Sequence, residues 1–455
     1  MARRASLAFV RNLFRPFLAF TRVEILGGTL LLVASVIALV WANSPWTATY
    51  AWLWERRISI GLDDFAVQGS LAFWINDLLM AFFFLLVGME IKRELVLGEL
   101  NTLKKAALPV VAAVGGMVVP AAIYSAFNWG QEEAMRGWGI PMATDIAFAL
   151  GILRLAGHRV PAALFTFLGA LAIIDDLGAI LVIAFFYTEE LSVSALGVAA
   201  ILLVVMGIMN RLDVRRAGLY LLVGAPLWLA IYQSGIHPTI AGVLTGMMIP
   251  ARRRSGELPA IVASAQSLVG LAARKDLPEE DKHAALGALE HEVRKAQAPL
   301  EAVEFTLHPY ISYGVLPLFA LANAGVVLLG ASPSMILDPV TLGILFGLFV
   351  GKPVGVFGAT WLATRVGIAQ LPKGVGMQHV MGAGMLGGIG FTMALFIGGL
   401  AFDPTSLAHT EAKIGVFTGS ILSGVAGLAY LYSRKPVAQP AVSALESSTR
   451  AEADR

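Results

Sequence analysis

Asp175 and Asp176 stand side by side in an otherwise apolar run, Ala172-Ile173-Ile174-Asp175-Asp176-Leu177-Gly178. Adjacent helical side chains project about 100° apart, so both carboxylates can border one cavity. Like charges this close raise one proton affinity, and their oxygens are hard ligands suited to a small hard cation. Such a pair can hold either a cation or protons. Ionisable groups inside a membrane-length apolar stretch are expensive and mark function by default. A hydrated pair at a helix end is the plain alternative, and apolar sequence on both sides argues against it.

Three other places carry polar groups where lipid is expected. Thr144 and Asp145 interrupt Pro141-Met142-Ala143-Thr144-Asp145-Ile146-Ala147-Phe148, and Gly137, Gly139 and Pro141 before them predict a broken helix. A half-helix start exposes unpaired amides and a positive dipole end that Asp145 can neutralise, while Thr144 offers an oxygen to an ion or to the carboxylates. Lys352, in Gly351-Lys352-Pro353, lies too deep to reach an interface easily and needs either an acidic partner or a lowered pKa, with Asp145, Asp175 and Asp176 available at similar depth. The run Gly382 to Met393 is dense in glycine, which permits close backbone approach or an unwound segment; a small-residue packing face is the simpler reading. Glu90 and Glu94 share one helix face, as do Glu304 and His308, each pair four residues apart. A histidine near carboxylates can titrate between about pH 5 and 8, and ordinary interfacial charge explains the pattern equally well. Asn76 and Asp77 read as packing or entrance polars. His237, before Pro238, reads as structural or interfacial.

The elements that must position these groups are membrane spans. Of 455 residues, 57% are hydrophobic and 14% charged, against roughly 25% charged in a soluble domain. Net charge of +2 gives no case for nucleic acid, and the absence of cysteine excludes disulfides, thiolate catalysis and cysteine metal sites. Twelve spans fit, at 23–42, 71–90, 107–127, 137–155, 161–187, 193–210, 217–231, 235–249, 300–323, 341–363, 379–401 and 411–431. Arg3, Arg4, Arg11, Arg15 and Arg22 precede the first, which is longer than a signal core and reads as a retained helix.

Loop charge tests the count. Lys92, Arg93, Lys104 and Lys105, then Arg154 and Arg159, then Arg211, Arg215 and Arg216, then Arg252 to Arg254, then Arg365 and Lys373, then Arg434 and Lys435 fall in every second loop. Glu132, Glu133, Glu189, Glu190, Asp338 and Asp403 fall in the others, with Arg56, Arg57 and Arg136 as exceptions. The pattern places both termini in the cytoplasm. The organisation expected is a cytoplasmic segment 1–22, spans one to eight within 23–250, a charged cytoplasmic insert 251–298, spans nine to twelve within 299–433, and a disordered tail 434–455. Two broken spans, four and eleven, in opposite halves suit an inverted-repeat transporter.

With those residues in view, the chain resembles the bacterial NhaA-type sodium/proton antiporters over roughly residues 20–433, apart from the insert. The likeness rests on Trp74-Ile75-Asn76-Asp77, Phe82 to Leu95, Ala143 to Leu150, Ile174-Asp175-Asp176-Leu177-Gly178, Leu307-His308-Pro309, Leu316 to Ala320 with Ala322 to Gly325, Gly351-Lys352-Pro353 and Gly387 to Met393. The resemblance implies an all-α polytopic membrane protein in which two discontinuous helices cross. It implies that Asp176 is the principal cation carboxylate, that Asp175 pairs with Lys352 when no sodium is held, and that Thr144 and Asp145 stand where the two unwound helices cross; Thr144 is the neutral oxygen expected to join Asp175 and Asp176 at transported sodium. Asp145 would balance positive helix ends and Lys352 the negative ones. Glu90, Glu94, Glu304 and His308 would form a cytoplasmic cluster for pH activation. It further implies electrogenic exchange of sodium or lithium for protons, no cofactor and no enzyme activity, residence in the inner membrane, and a homodimer joined partly by a hairpin within 43–70. Two features depart from the family pattern: the insert is longer, and Tyr310 stands where tryptophan is common. Rival readings are a same-fold sodium-coupled transporter of an organic substrate, an ion channel, and an intramembrane aspartyl protease.

Overall fold

The computed structural model describes residues 15–61, 66–188, 191–252, 298–327 and 333–434, with isolated positions between 253 and 297. Residues 1–14 of the N-terminal segment, Glu189 and Glu190, most of the 251–298 insert, and the tail from 435 lie outside the described residues.

In chain order the elements are α1 (Arg15–Ala42), α2 (Thr47–Trp54), β1 (Arg57–Ile60), β2 (Val67–Ser70), α3 (Leu71–Val96), α4 (Leu103–Phe127), α5 (Glu132–Met142), α6 (Ile146–Leu155), α7 (Ala162–Phe186), α8 (Val193–Arg211), α9 (Ala217–Gln233), α10 (Thr239–Met248), α11 (Pro299–Asn323), α12 (Pro339–Val366), α13 (Met377–Gly387), α14 (Phe391–Ala401) and α15 (Leu407–Tyr432). The chain is thus a polytopic helical membrane protein with one small antiparallel hairpin, β1 against β2, pairing Arg57 with Ser70 and Ile60 with Val67. Among the described residues seven helices are long and apolar enough to cross a membrane, or up to ten if each bent pair is one span. The expected spans at 217–231 and 235–249 appear as α9 and α10, apolar helices below that length.

The chain divides into two compact units. One comprises residues 1–53, 99–183 and 320–455. Within it, α4 and α12 pack closely because Gly115 and Gly355 meet: a Cβ on either would strike the other's backbone. Pro353 cannot donate a hydrogen bond to the carbonyl four residues earlier, and α12 widens into a π-type turn over Gly347–Gly351, where the Lys352 amide reaches back five residues to Gly347 O. The helix continues from Lys352, whose stem lies beside Gly116.

The same unit holds the two broken spans that the sequence predicts. The α5–α6 pair bends by 45° and the α13–α14 pair by 47°. At the first break a 3₁₀ stretch runs from Arg136 to Met142, then Ala143 and Asp145 adopt extended backbone. At the second, Gly388, Ile389 and Gly390 separate the two half-helices. Both breaks fall where Pro141 and the glycine run predict them.

The other unit comprises residues 54–98 and 184–319. There α3 and α10 approach through Gly88, Gly242 and Gly246, whose added Cβ atoms would collide with the facing backbone at Val243, Ala81 and Leu85. This is a small-residue seam of the kind that lets membrane helices pack without a water-driven force. π-type turns interrupt α3 at Trp74–Leu79 and α11 at Ile311–Val315.

Candidate functional site

Two sequence-predicted residues, Thr144 and Lys352, each bond a third, Asp175. Asp175 and Lys352 form a hydrogen-bonded ion pair whose side chains are both fully buried. The Thr144 hydroxyl lies 2.7 Å from the same carboxylate oxygen, Asp175 Oδ2, and 2.8 Å from Gly387 O at the end of α13. A hydroxyl has one proton to donate. Thr144 therefore donates to Asp175 while that group is ionised, and can donate to Gly387 O when Asp175 itself carries a proton. Asp175 Oδ1 accepts no hydrogen bond among the described residues. Asp176 follows on α7 and is 2% exposed. Sequence depth leaves three acids open as partners for Lys352; the geometry selects Asp175.

Asp145 does different work. Its Oδ1 accepts the Phe148 amide at 3.2 Å, capping its own half-helix α6. Its Oδ2 accepts the Thr392 amide at 3.1 Å and the Thr392 hydroxyl, on the facing half-helix α14. The Asp145 amide in turn donates to Ile389 O at 2.6 Å. One carboxylate thus serves the starts of two half-helices, where unpaired amides and dipoles concentrate positive charge. The carbonyl end of α13 sits against Thr144, with Lys352 two hydrogen bonds further on, beyond Asp175. Buried negative charge at Asp145 is thus matched to positive helix starts, while Lys352 is matched to the Asp175 carboxylate.

Type and spacing do not single out Thr392, although its motif stands out. A hydroxyl in an apolar stretch beside glycines is the signal that finds it. Ser420 on α15, which accepts the Phe391 amide at 3.2 Å, carries no such signal.

Among the described residues no cluster of three or more His, Asp or Glu side chains could hold a metal. A cation at Asp175 and Asp176 would draw on two carboxylates and neutral oxygens, a set suited to a transported ion. The geometry also disfavours an aspartyl protease, whose two acids share a proton: here Asp175 bonds a lysine and Asp145 bonds helix amides.

The second unit holds the other candidates. Arg93 pairs with Glu304 and lies 4.0 Å from Glu94, so Arg93 joins the acids and His308 that the sequence groups there. Glu304 is 5% exposed, which a merely solvated interfacial charge would not be. Glu90 is part-buried on the same α3 face. Asp77 and His237 meet at 3.2 Å, with His237 Nδ1 2.8 Å from Thr239 Oγ1.

Residues 18–431 match the family model described as Na+/H+ antiporter 1. The chain is 50% identical over 426 residues to the Na(+)/H(+) antiporter NhaA of Oleidesulfovibrio alaskensis, covering 92% of this chain and 94% of that one. It is 49% identical to the Na(+)/H(+) antiporter NhaA of Rhodospirillum rubrum, over 94% and 99% of the two chains. It is 46% identical to Na(+)/H(+) antiporter NhaA 2 of Syntrophotalea carbinolica, over 93% and 97%.

Proposed function

The chain belongs to the Na+/H+ antiporter 1 family, and from that premise we propose that its exchange chemistry runs on Asp175, Asp176, Thr144, Asp145 and Lys352. The protein is a secondary sodium(lithium)/proton antiporter of the bacterial inner membrane, a transporter and not an enzyme. The organic-substrate alternative has no support. The observation that carries the site reading is the buried Lys352–Asp175 pair, with Thr144 from one helix break bonded to the same carboxylate and 2.8 Å from the Gly387 carbonyl at the other.

Asp176 is the principal sodium ligand, with Asp175 and the Thr144 hydroxyl completing the protein's share of the shell. Two protons enter from outside, one to Asp176 and one to the Asp175–Lys352 pair, and displace one sodium ion. On the cytoplasmic side sodium binds and both protons leave. Sodium and protons compete for the same oxygens, so coupling needs no separate gate for each. Each cycle moves one net positive charge inward. At equal pH on both sides that charge is worth about 2.3 kcal/mol per 100 mV, enough to hold a roughly 50-fold sodium gradient. An electroneutral exchange would gain nothing from the potential.

The finer architecture follows from the same reading. Counting each bent pair as one span and adding α9 and α10 gives twelve spans; an even count puts both termini on one side, and the basic loops favour the cytoplasm for them, with the 1–22 segment, the 251–298 insert and the 434–455 tail. Spans four and eleven correspond as inverted repeats and cross at their breaks. Glu90, Glu94, Glu304 and His308, with Arg93, tune the pH at which exchange switches on. The β1–β2 hairpin supplies part of a homodimer contact.

The test is reconstitution into sealed vesicles with an internal pH dye and a preformed proton gradient. Sodium and lithium are expected to collapse the gradient and potassium to leave it intact, between pH 6 and pH 9. Asp176→Asn is expected to abolish the response in correctly folded protein. A sodium response that survives in Asp176→Asn removes Asp176 from the site.

A further inference from the structure

The second half of span eleven cannot cap itself. Its N-cap residue is Gly390, which has no side chain, yet the first amides of a helix need acceptors, all the more so in a buried setting. Two other helices supply them. The Thr392 amide goes to Asp145 at the start of α6, as described above, and the Phe391 amide goes to the Ser420 hydroxyl from α15, at 3.2 Å. Ser420 is 6% exposed. One turn further on, Ser423 is 1% exposed and stands beside the same break: a Cβ on Gly388 would come 2.6 Å from its Oγ. The Ser423 oxygen makes no hydrogen bond among the described residues.

We propose that Ser420 is a positioning residue for the exchange site, supplying from the last span the neutral half of a cap whose charged half is Asp145. The division of labour has a physical consequence. Asp145 has one charge and already serves Phe148 and Thr392. Without Ser420 the Phe391 amide is left buried and unpaired, and its uncompensated positive end belongs to the same break whose Ile389 and Gly387 carbonyls contact Asp145 and Thr144. Extra positive potential there weakens the hold on a cation without touching the carboxylates that exchange it. The inference rests on the site reading above and deepens it.

The test compares Ser420→Thr with Ser420→Val in the vesicle assay. The two replacements have the same shape and differ in a hydroxyl. Ser420→Thr is expected to keep the native apparent KM for sodium. Ser420→Val is expected to raise it roughly three- to tenfold, the scale of a lost helix cap, with the maximal rate per folded transporter held. A purely structural role would lower the maximal rate in both and leave KM alone. Ser423→Ala removes a hydroxyl of similar burial from the same helix without removing a cap, and is expected to leave KM within about twofold of native. Equal KM for the Thr and Val replacements, or a KM rise in Ser423→Ala matching that in Ser420→Val, overturns the proposal. Native protein and Asp176→Asn run alongside separate the two readings: exchange in the first and none in the second keeps the site assignment whatever Ser420 does.

Discussion

The two units handle buried charge in contrasting ways. In the first, Lys352 and Asp175 are fully buried against each other with Thr144 beside the carboxylate, and Asp145 is tied to the amides of Phe148 and Thr392 at two helix starts. In the second, Arg93 keeps 34% of its side chain exposed while Glu304 beneath it keeps 6%. Charges locked to helix ends move only if the helices move, which is what coupling an ion to a conformational change requires. A pair with one solvated member can respond to pH while the scaffold stays still. On the proposed site reading, the difference separates residues that exchange ions from residues that adjust when exchange occurs.

The contrast is broken most sharply by orphaning one charge in each unit. Lys352→Met strands the fully buried Asp175 without its cationic partner, and breaking a buried pair in this way costs about 3–5 kcal/mol. Thermal unfolding in detergent should show a large drop, and Asp175→Asn added to Lys352→Met should recover most of it. A double variant no more stable than Lys352→Met would mean the two groups are not energetically coupled. Glu304→Gln orphans Arg93 instead. Water reaches that guanidinium, so the loss should be about 1 kcal/mol or less, with the maximal exchange rate within about twofold of native and the pH profile displaced. A stability loss as large as that of Lys352→Met would erase the distinction between the units.

Much of the first unit was legible because membrane burial makes polar residues conspicuous. Asp175, Asp176 and Lys352 stand out in apolar runs, and Pro141 and the glycines of 382–390 announce the breaks. What stayed hidden were partners chosen by rotation and register. Three acids at one depth cannot be ranked from spacing, so the bond between Lys352 and Asp175 came from resemblance and geometry. Ser420 is a serine among many small residues of α15, and serine in a membrane helix usually bonds its own backbone; nothing local marks it as the acceptor for an amide 29 residues earlier. Asp77 and His237 each stand alone in the sequence, since a contact between α3 and the start of α10 leaves no periodic trace. The π-type turns have a related cause. Pro353 and Pro317 each remove one donor, but whether the helix kinks or widens depends on what packs against it.

Asp403 gives the smallest expected effect and extends the contrast to water-exposed charge. It lies in the loop between α14 and α15, where its Oδ1 accepts the Thr405 hydroxyl at 2.5 Å and the Thr405 amide at 2.8 Å. Those bonds, the hydroxyl first, favour the ionised form and hold the carboxyl below its ordinary value. A depressed folded-state value means the unfolded chain binds the proton more readily, so the contribution is complete above the ordinary aspartate range and fades as pH falls through the lowered value. The stability difference between native protein and Asp403→Asn should therefore be present at neutral pH and vanish in acid. Because the group is fully exposed, that difference should be the smallest of the set, and sodium-driven proton release should be unchanged. Melting curves at neutral and acid pH, paired with the vesicle assay, check both. A difference that grows toward acid would reverse the sign argued from the two Thr405 bonds, and a change in exchange would show that this loop is not electrically isolated from Asp175 and Asp176.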